Sequence, residues 1–179
     1  MKTTQILIAG FGGQGILFSG KFLAYKGLCE ELQVSWLPSY GPEMRGGTAN
    51  CNVILSDTPV GSPIITTPDV LIAMNAPSLQ KYVDTVAPGG QIYVDSSLID
   101  LKVERADVSV FYIPATQMAK EAGIATLANM IIVGHLLENH PELSFEGADG
   151  VVDKLVPPKK AALKELNMKA LSLGKDYKN

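Results

Sequence analysis

The 179-residue sequence contains few of the side chains that bind metals or carry out covalent catalysis. Its two cysteines, Cys29 and Cys51, stand 22 positions apart with no CxxC spacing. A [4Fe–4S] cluster usually takes four thiolates, so the chain cannot hold one alone. We interpret both thiols as reduced, buried and structural. The two histidines lack metal-ligand spacing. We interpret His135 as a hydrogen-bonded core residue and His140 as a partner for a helix C-terminal dipole.

Charged residues are also scarce. They make up 18% of the chain, against about 25% in typical soluble domains. A formal net charge of −3 and a pI near 5.4 argue against nucleic acid as a partner. No apolar run is long enough to span a membrane, and no signal-peptide segment is recognisable, so we expect a cytoplasmic protein. The surplus of apolar surface favours a permanent protein partner.

Apolar strands that alternate with helical segments predict one α/β domain over residues 1–179. The alternation implies a three-layer, Rossmann-like open sheet that is mostly parallel. We expect an antiparallel hairpin at one edge, formed by Thr48–Leu55 and Val60–Ile65. The predicted strands are Gln5–Ala9, Val34–Pro38, Ala49–Leu55, Val70–Met74, Gln91–Asp95 and Val108–Ile113, and the predicted helices are Gln14–Cys29, Pro77–Val86, Thr116–Ala122, Thr126–Glu138 and Pro157–Gly174.

A glycine-rich turn between the first strand and the first helix is the main candidate for a binding site. Glycines let the backbone approach a ligand, and the N–H groups at the start of the helix face an anion. Its spacing also matches the GxGxxG pattern of dinucleotide-binding proteins. The residues of this turn are Gly10, Phe11, Gly12, Gly13, Gln14 and Gly15.

A nicotinamide-dependent dehydrogenase is therefore an alternative function, as is a nucleotide-binding module without chemistry. The dinucleotide motif needs an acidic residue at the end of the second strand, where it binds the ribose hydroxyls. Here the second strand ends in Pro38 and Ser39, and the nearest acids, Glu30 and Glu31, precede it. This missing acid counts against the dehydrogenase. The glycines could also serve only a tight turn and close helix packing.

A second candidate segment follows the second strand. Because loops after parallel strands emerge at one sheet edge, we expect this loop and the glycine turn to form the two walls of one crevice. Arg45 could pair with a phosphate, with a carboxylate or with Glu43 of the same loop. The segment comprises Ser39, Tyr40, Gly41, Pro42, Glu43, Met44, Arg45, Gly46 and Gly47.

Three segments together carry a resemblance to a known family: Gly10–Gly15, Ser39–Gly47 and the downstream Thr126-Leu-Ala-Asn129-Met. They resemble the gamma subunit of 2-oxoacid:ferredoxin oxidoreductases, and the likeness covers nearly the whole chain. The Ser39–Gly47 string looks most like the 2-oxoglutarate and branched-chain 2-oxoacid members. The resemblance adds Asn129 to the candidate ligand or interface residues.

The resemblance implies one component of an enzyme that decarboxylates a 2-oxoacid on thiamine diphosphate and magnesium and forms an acyl-coenzyme A. Electrons would pass through iron–sulfur clusters to ferredoxin. The implied partners are alpha, beta and ferredoxin-like delta subunits, and this chain would enclose the coenzyme A region without catalytic residues or cofactors of its own. Gly147-Ala-Asp149-Gly150 departs from the usual thiamine-protein motif, so we interpret it as a turn and N-cap before a charged helix.

Overall fold

The computed structural model describes residues 2–39 and 48–178, which form one mixed sheet flanked by helices. Short 3₁₀ turns at Val83–Thr85, Ala125–Leu127 and Pro158–Lys160 adjoin three of the helices. The strands are β1 (Thr3–Phe11), β2 (Gln33–Ser39), β3 (Thr48–Ser56), β4 (Val70–Ala73), β5 (Gln91–Asp95) and β6 (Ser109–Ile113). The helices are α1 (Ile16–Cys29), α2 (Ala76–Tyr82), α3 (Ala115–Glu121), α4 (Ala128–Asn139), α5 (Ala148–Leu155) and α6 (Ala161–Asp176).

The strand order across the sheet is β2-β3-β1-β4-β5-β6. Strands β1, β4, β5 and β6 are parallel, whereas β3 runs antiparallel to both of its neighbours, β1 and β2. The open, mostly parallel α/β sheet with an antiparallel pair at one edge is therefore confirmed. The composition of that pair differs from the prediction, because β3 pairs with β2 and not with residues 60–65.

Residues 57–69 form an irregular loop instead of a strand. Pro59 and Pro63 remove two backbone donors, and Gly61 lies between them. Both edges of β3 are already hydrogen-bonded, to β1 and to β2. The loop is instead fixed by two carboxylates at its ends, since Asp57 accepts a hydrogen bond from the Lys2 N–H (2.9 Å) and Asp69 accepts one from the Gln5 N–H (2.8 Å).

Two cores lie on opposite faces of the sheet. The larger contains Ile6, Ile8 and Tyr93 of the sheet with α1, α4, α5 and α6. The smaller contains Leu7, Leu71 and other strand residues with α2. Alternate residues of a strand point to opposite faces, so each strand supplies both cores. The three-layer arrangement follows from these two packed faces.

Close backbone contact joins α4 to α6 at two glycines. A Cβ on Gly174 would collide with the carbonyl oxygen of Ile131, and a Cβ on Gly134 would collide with that of Leu171. Buried His135, one position along α4, fixes the same crossing, because its Nδ1 lies 3.1 Å from the Gly174 carbonyl oxygen. The final helix is thereby held against the core.

Candidate functional site

The glycine turn lies at the carboxyl end of β1, where the chain connections diverge. From β1 the chain passes through α1 to β2 on one side of the sheet, whereas β4 leads through α2 to β5 on the other. This is a topological switch point, and open α/β sheets bind ligands in the crevice at such points. The glycine turn therefore lies where open α/β sheets commonly bind ligands, and its role in binding stays a prediction.

Gly15 and Asn129 fix the end of this turn. Gly15 is the residue before α1 and has φ +75°, a left-handed conformation that favours glycine. Asn129, at the start of α4, donates from Nδ2 to the Gly15 carbonyl oxygen (3.2 Å) and to Ser19 Oγ (2.9 Å). A Cβ on Gly15 would lie 2.5 Å from Asn129 Nδ2. The structure thus brings together two candidate residues that are far apart in the sequence.

Gln14 ties the other side of the turn to the neighbouring strand. Its Oε1 accepts from the Phe11 N–H (2.6 Å), and its Nε2 donates to the Met74 carbonyl oxygen (2.9 Å) just after β4. Gly10 leaves space for this arrangement, because a Cβ there would lie 2.7 Å from Gln14 Oε1 and 2.8 Å from Met74 Cβ. Gly10 and Gln14 therefore hold the turn in place and need no ligand for that role.

A groove of about 260 Å³ opens between this turn and the first residues of α1. Gly15 gives α1 no side-chain cap, and the first turn of α1 carries no acidic residue. The N–H groups of a helix's first turn have no partner within the helix, and the helix dipole makes this end attractive to anions. The groove is lined by Phe11, Gly12, Gly13, Gly15, Ile16, Leu17, Phe18 and Ala49.

This lining defines what the groove can do. The side chains among its lining residues are apolar, and the polar groups that the turn and α1 offer are backbone N–H donors. Such a groove suits a ligand with one anionic group beside an apolar part. Among the described lining residues there is no nucleophile and no general base, so these residues offer a surface for binding.

The second candidate segment is described only at its first residue, Ser39, the last of β2. Ser39 pairs with Asn50, which pairs in turn with Ala9 of β1, so the segment begins at the same sheet edge as the glycine turn. Its other residues lie outside the described part of the chain, and the predicted crevice walls stay a prediction. These residues are Tyr40, Gly41, Pro42, Glu43, Met44, Arg45, Gly46 and Gly47.

The strand order weighs against the dinucleotide alternative. In the classic dinucleotide fold β2 lies directly beside β1, so an acid at the end of β2 reaches the ribose. Here β3 lies between β1 and β2. The end of β2 is thus about 10 Å away from β1, two strand spacings, and it carries Ser39 rather than an acid.

The two cysteines differ in environment. Cys51 is fully buried against α1, and burial raises the pKa of its thiol to about 12, so the thiolate is disfavoured. Cys29 is exposed at the end of α1, and the prediction that it is buried is wrong. Residue 29 ends a helix whose last turn already faces solvent at Leu28, which is 55% exposed. Among residues 2–39 and 48–178, no three His, Cys, Asp or Glu side chains group as a metal site.

The histidines serve the fold. His135 is a buried, hydrogen-bonded core residue as predicted, and burial lowers its pKa. His140 ends α4, but burial lowers its pKa too, and its Nδ1 accepts a hydrogen bond from the Glu142 N–H (3.2 Å). An accepting Nδ1 carries no proton. The expectation that His140 neutralises a helix dipole as a cation is therefore wrong, and a neutral ring caps the following turn instead.

Two buried polar residues at the same sheet edge were not among the residues predicted from the sequence. Asn75 follows β4 and accepts from the Ser78 N–H (2.8 Å), while Asp95 ends β5 and accepts from Thr116 Oγ1 (2.5 Å) and the Ser97 N–H (3.1 Å). A polar residue directly after an apolar strand is the signal that could have found them. Asn75 starts α2, and Asp95 holds the start of α3, so both position helices around the crevice.

Comparisons with known proteins identify related sequences. The family model described as pyruvate ferredoxin/flavodoxin oxidoreductase matches residues 5–177. The ketoisovalerate oxidoreductase subunit VorA of Methanothermobacter marburgensis is 34% identical over 98% of this chain, which spans only 37% of that relative.

Two solved structures share the fold. The keto/oxoacid ferredoxin oxidoreductase gamma subunit of Geobacter sulfurreducens is 30% identical with a TM-score of 0.81, covering 96% of this chain and 95% of its own. A 2-oxoglutarate:ferredoxin oxidoreductase of Magnetococcus marinus, with 2-oxoglutarate, coenzyme A and succinyl-CoA bound, is 28% identical with a TM-score of 0.86. That match covers 98% of this chain and 31% of the Magnetococcus chain. The chain therefore belongs to the pyruvate ferredoxin/flavodoxin oxidoreductase family.

Proposed function

We propose that this chain is the gamma subunit of a thiamine diphosphate-dependent 2-oxoacid:ferredoxin oxidoreductase. The complex would oxidatively decarboxylate a 2-oxoacid to an acyl-coenzyme A. The ketoisovalerate relative supports 2-oxoisovalerate as the substrate, and the Magnetococcus structure supports 2-oxoglutarate. The observation that carries the proposal is the glycine groove, which offers helix N–H donors and, among its described lining residues, no catalytic side chain.

The groove fits part of coenzyme A. That molecule joins phosphates to an apolar chain, and the groove places backbone donors beside Phe11, Leu17 and Phe18. In this proposal the first turn of α1 binds a phosphate, Asn129 and Gln14 keep the turn in shape, and the apolar lining excludes water. Coenzyme A, when bound, supplies the thiol that accepts the acyl group. This chain's residues would take part in no bond-making step.

The sequence adds Arg45 to this proposal. It lies in the segment that follows β2, and β2 ends at the same sheet edge as the glycine turn. An arginine fork binds phosphate or carboxylate with fixed geometry. Arg45 would bind a coenzyme A phosphate or lock this subunit onto a catalytic partner, and Arg45→Ala should then raise KM for coenzyme A or weaken assembly.

The remaining cofactors would be held by other subunits. Thiamine diphosphate needs magnesium ligands, and an iron–sulfur cluster needs several thiolates. The described residues fit neither, because no three of their His, Cys, Asp and Glu side chains lie together, and burial raises the pKa of the Cys51 thiol. The interpretation of Gly147–Gly150 as a turn and N-cap holds only for Gly147, which is the N-cap of α5. Asp149 and Gly150 lie inside that helix, with Asp149 in its first turn.

The partners follow from the same proposal. They are alpha and beta subunits that hold thiamine diphosphate and magnesium, a ferredoxin-like delta subunit, and ferredoxin or a similar acceptor. We propose a cytoplasmic complex that binds neither nucleic acid nor membrane. Within the described ranges, the helices are too short or too polar to cross a bilayer.

Reconstitution tests the proposal. The proposed alpha, beta and delta subunits are combined with and without this chain, and coenzyme A-dependent ferredoxin reduction is measured with 2-oxoglutarate and with 2-oxoisovalerate. We expect activity with one of the two acids only when this chain is present. Full activity without the chain, or no association with the other subunits, would contradict the proposal.

A further inference from the structure

We propose that one face of the β2–β3–β1 edge of the sheet is the docking surface for the thiamine-type subunit of the complex. The inference rests on the proposed function. It adds where on this chain the contact lies and which kind of partner surface can bind there. This open face is the side of β2 and β3 opposite α1, together with the loop of residues 58–68. Its strand residues are Gln33, Ser35, Leu37, Asn50, Asn52 and Ile54.

Register places these side chains on one surface. Leu37 pairs with Asn52, and Asn52 pairs with Leu7, so the three form a row across the three strands. Val34, Trp36 and Cys51 occupy the other face and pack in the core with α1. On the open face, the described polypeptide that lies against β3 includes the loop of residues 57–69, whereas the other face is covered by α1.

The open face exposes two large apolar side chains. Leu37 is 39% exposed and Ile64 is 65% exposed. Next to Ile64, residues of β1, β3 and the loop line an open depression of about 410 Å³, whose lining includes Ile54 and Val60. A depression with an exposed isoleucine at its rim suits an inserted apolar side chain of a partner.

The face is also free of charge. Residues 33–39, 48–56 and 58–68 contain no Asp, Glu, Lys or Arg, in a chain with 33 such residues. The two carboxylates that flank the loop, Asp57 and Asp69, bond to the backbone of Lys2 and Gln5. Depletion of charge distinguishes the centre of a protein interface from ordinary surface.

The absence of charged residues from these ranges indicates which kind of partner can bind the face. An anionic lipid surface or a nucleic acid is bound through Lys and Arg, and neither residue occurs in these ranges. An acidic redox protein would likewise need positive charge opposite it. A neutral face is complementary to another neutral protein face held permanently, as in obligate complexes. VorA and the Magnetococcus chain support such permanence, since this domain spans only 37% and 31% of them.

A polar pocket on the same face offers hydrogen-bonding groups to the partner. It measures about 170 Å³ and includes Asn50, Asn52 and Thr66 in its lining, and Asn50 Nδ2 contacts Tyr82 Oη at 3.3 Å. Amide side chains on the face of an internal strand offer hydrogen bonds without charge. They fit backbone or amide groups of the partner beside the apolar depression.

The test introduces one charge at a time in the reconstituted complex. Leu37→Asp and Ile64→Asp place a carboxylate on the open face. Leu163→Asp is the matched control, because Leu163 is 40% exposed on α6, away from this face. We expect both open-face variants to weaken binding of this chain to the thiamine-type subunit at least about 30-fold, with the control within about threefold of wild type. Thermal unfolding of each lone chain checks that the fold survives.

The outcomes separate this inference from the proposed function. If wild type assembles and both open-face variants assemble equally well, the docking surface is wrong while the function stands. If the lone wild-type chain is a dimer in sedimentation and Leu37→Asp makes it a monomer, the face binds a second copy and the inference is overturned. If wild type fails to bind any thiamine-type subunit, both proposals fail.

Discussion

Asn129 donates a hydrogen bond from Nδ2 to the carbonyl oxygen of Gly15 over 3.2 Å, although 114 residues separate the two. The bond joins the start of α4 to the residue that precedes α1, and Ser19 Oγ takes a second one at 2.9 Å. The conformation of the glycine groove therefore depends on a helix from the other half of the chain. Two predictions concern this relationship directly.

Alanine at Gly15 should destabilise the protein more than alanine at Gly13. Both glycines have positive φ, +75° and +94°, so each substitution carries backbone strain of about 1–2 kcal/mol. A Cβ on Gly13 meets nothing within 4 Å, whereas one on Gly15 displaces Asn129. We expect Gly15→Ala to lower the free energy of unfolding by about 3 kcal/mol or more in urea titrations. Equal losses would show that strain alone sets the cost.

The two residues should be energetically coupled. Once Asn129→Ala removes the side chain, a methyl group at position 15 no longer displaces it, and only the strain remains. In that background we expect Gly15→Ala to lower the free energy of unfolding by only about 1–2 kcal/mol. The double mutant should therefore be more stable than the sum of the two single-mutant losses predicts. A double-mutant cycle by urea unfolding measures this. Additive losses would mean that Asn129 does not hold the turn.

Glycine at Glu31 should stabilise the chain. Glu31 follows α1 with φ +59°, and its neighbours form the hydrogen bonds of a Schellman motif, from Leu32 N–H to Gly27 and from Glu31 N–H to Leu28. Glycine adopts this conformation without strain, so Glu31→Gly should raise the free energy of unfolding by about 0.5–1 kcal/mol. Glu31→Ala, which removes the charge and keeps the strain, is the control. A gain with alanine would assign the effect to charge.

Stability should decrease as the pH falls from 7.5 to 5.5. Burial lowers the pKa of His135 and of His140 below their ordinary value of 6.5. As the pH falls, the two histidines bind protons in the unfolded chain before they do so in the folded one. Their contribution to the free energy of unfolding is therefore fully present above about pH 6.5 and is lost as the pH falls below it. Urea titrations at both pH values measure it, and His135→Gln and His140→Gln should each reduce the difference. A wild type more stable at pH 5.5 would contradict the burial argument.

Local patterns in the sequence predicted most strands and helices, but they did not predict the order of the strands in the sheet. Val70–Ala73 and Gln91–Asp95 are apolar runs bounded by turn residues, and both are strands. The position of β3 between β1 and β2 could not be predicted from the local pattern of apolar residues. Strand pairing depends on long-range contacts, which this pattern does not encode. Residues 60–65 were apolar enough to suggest a strand, but Pro59 and Pro63 prevent pairing there.

Some features of the candidate site could be predicted from the sequence, and others appear only in the structure. The glycine spacing located the turn at a helix start, since the need for tight backbone geometry is local. The roles of Gln14 and Asn129 as supports appear only in three dimensions, as does the capping of α3 by Asp95. Cys29 could not be placed at the surface from sequence, because cysteine is usually buried and its position at the end of α1 decides the outcome.

The central claim is that the glycine groove binds an anionic part of coenzyme A without taking part in the chemistry. Gly12, exposed in the groove lining, allows a direct test, because Gly12→Asp adds a carboxylate beside the start of α1 and Gly12→Asn adds the same shape without charge. The measurement is ferredoxin reduction by the reconstituted complex as a function of coenzyme A concentration. We predict that Gly12→Asp raises KM for coenzyme A about tenfold or more with kcat nearly unchanged, and that Gly12→Asn changes it at most about threefold. Equal KM values for wild type and Gly12→Asp, in an assembled complex, would contradict the claim.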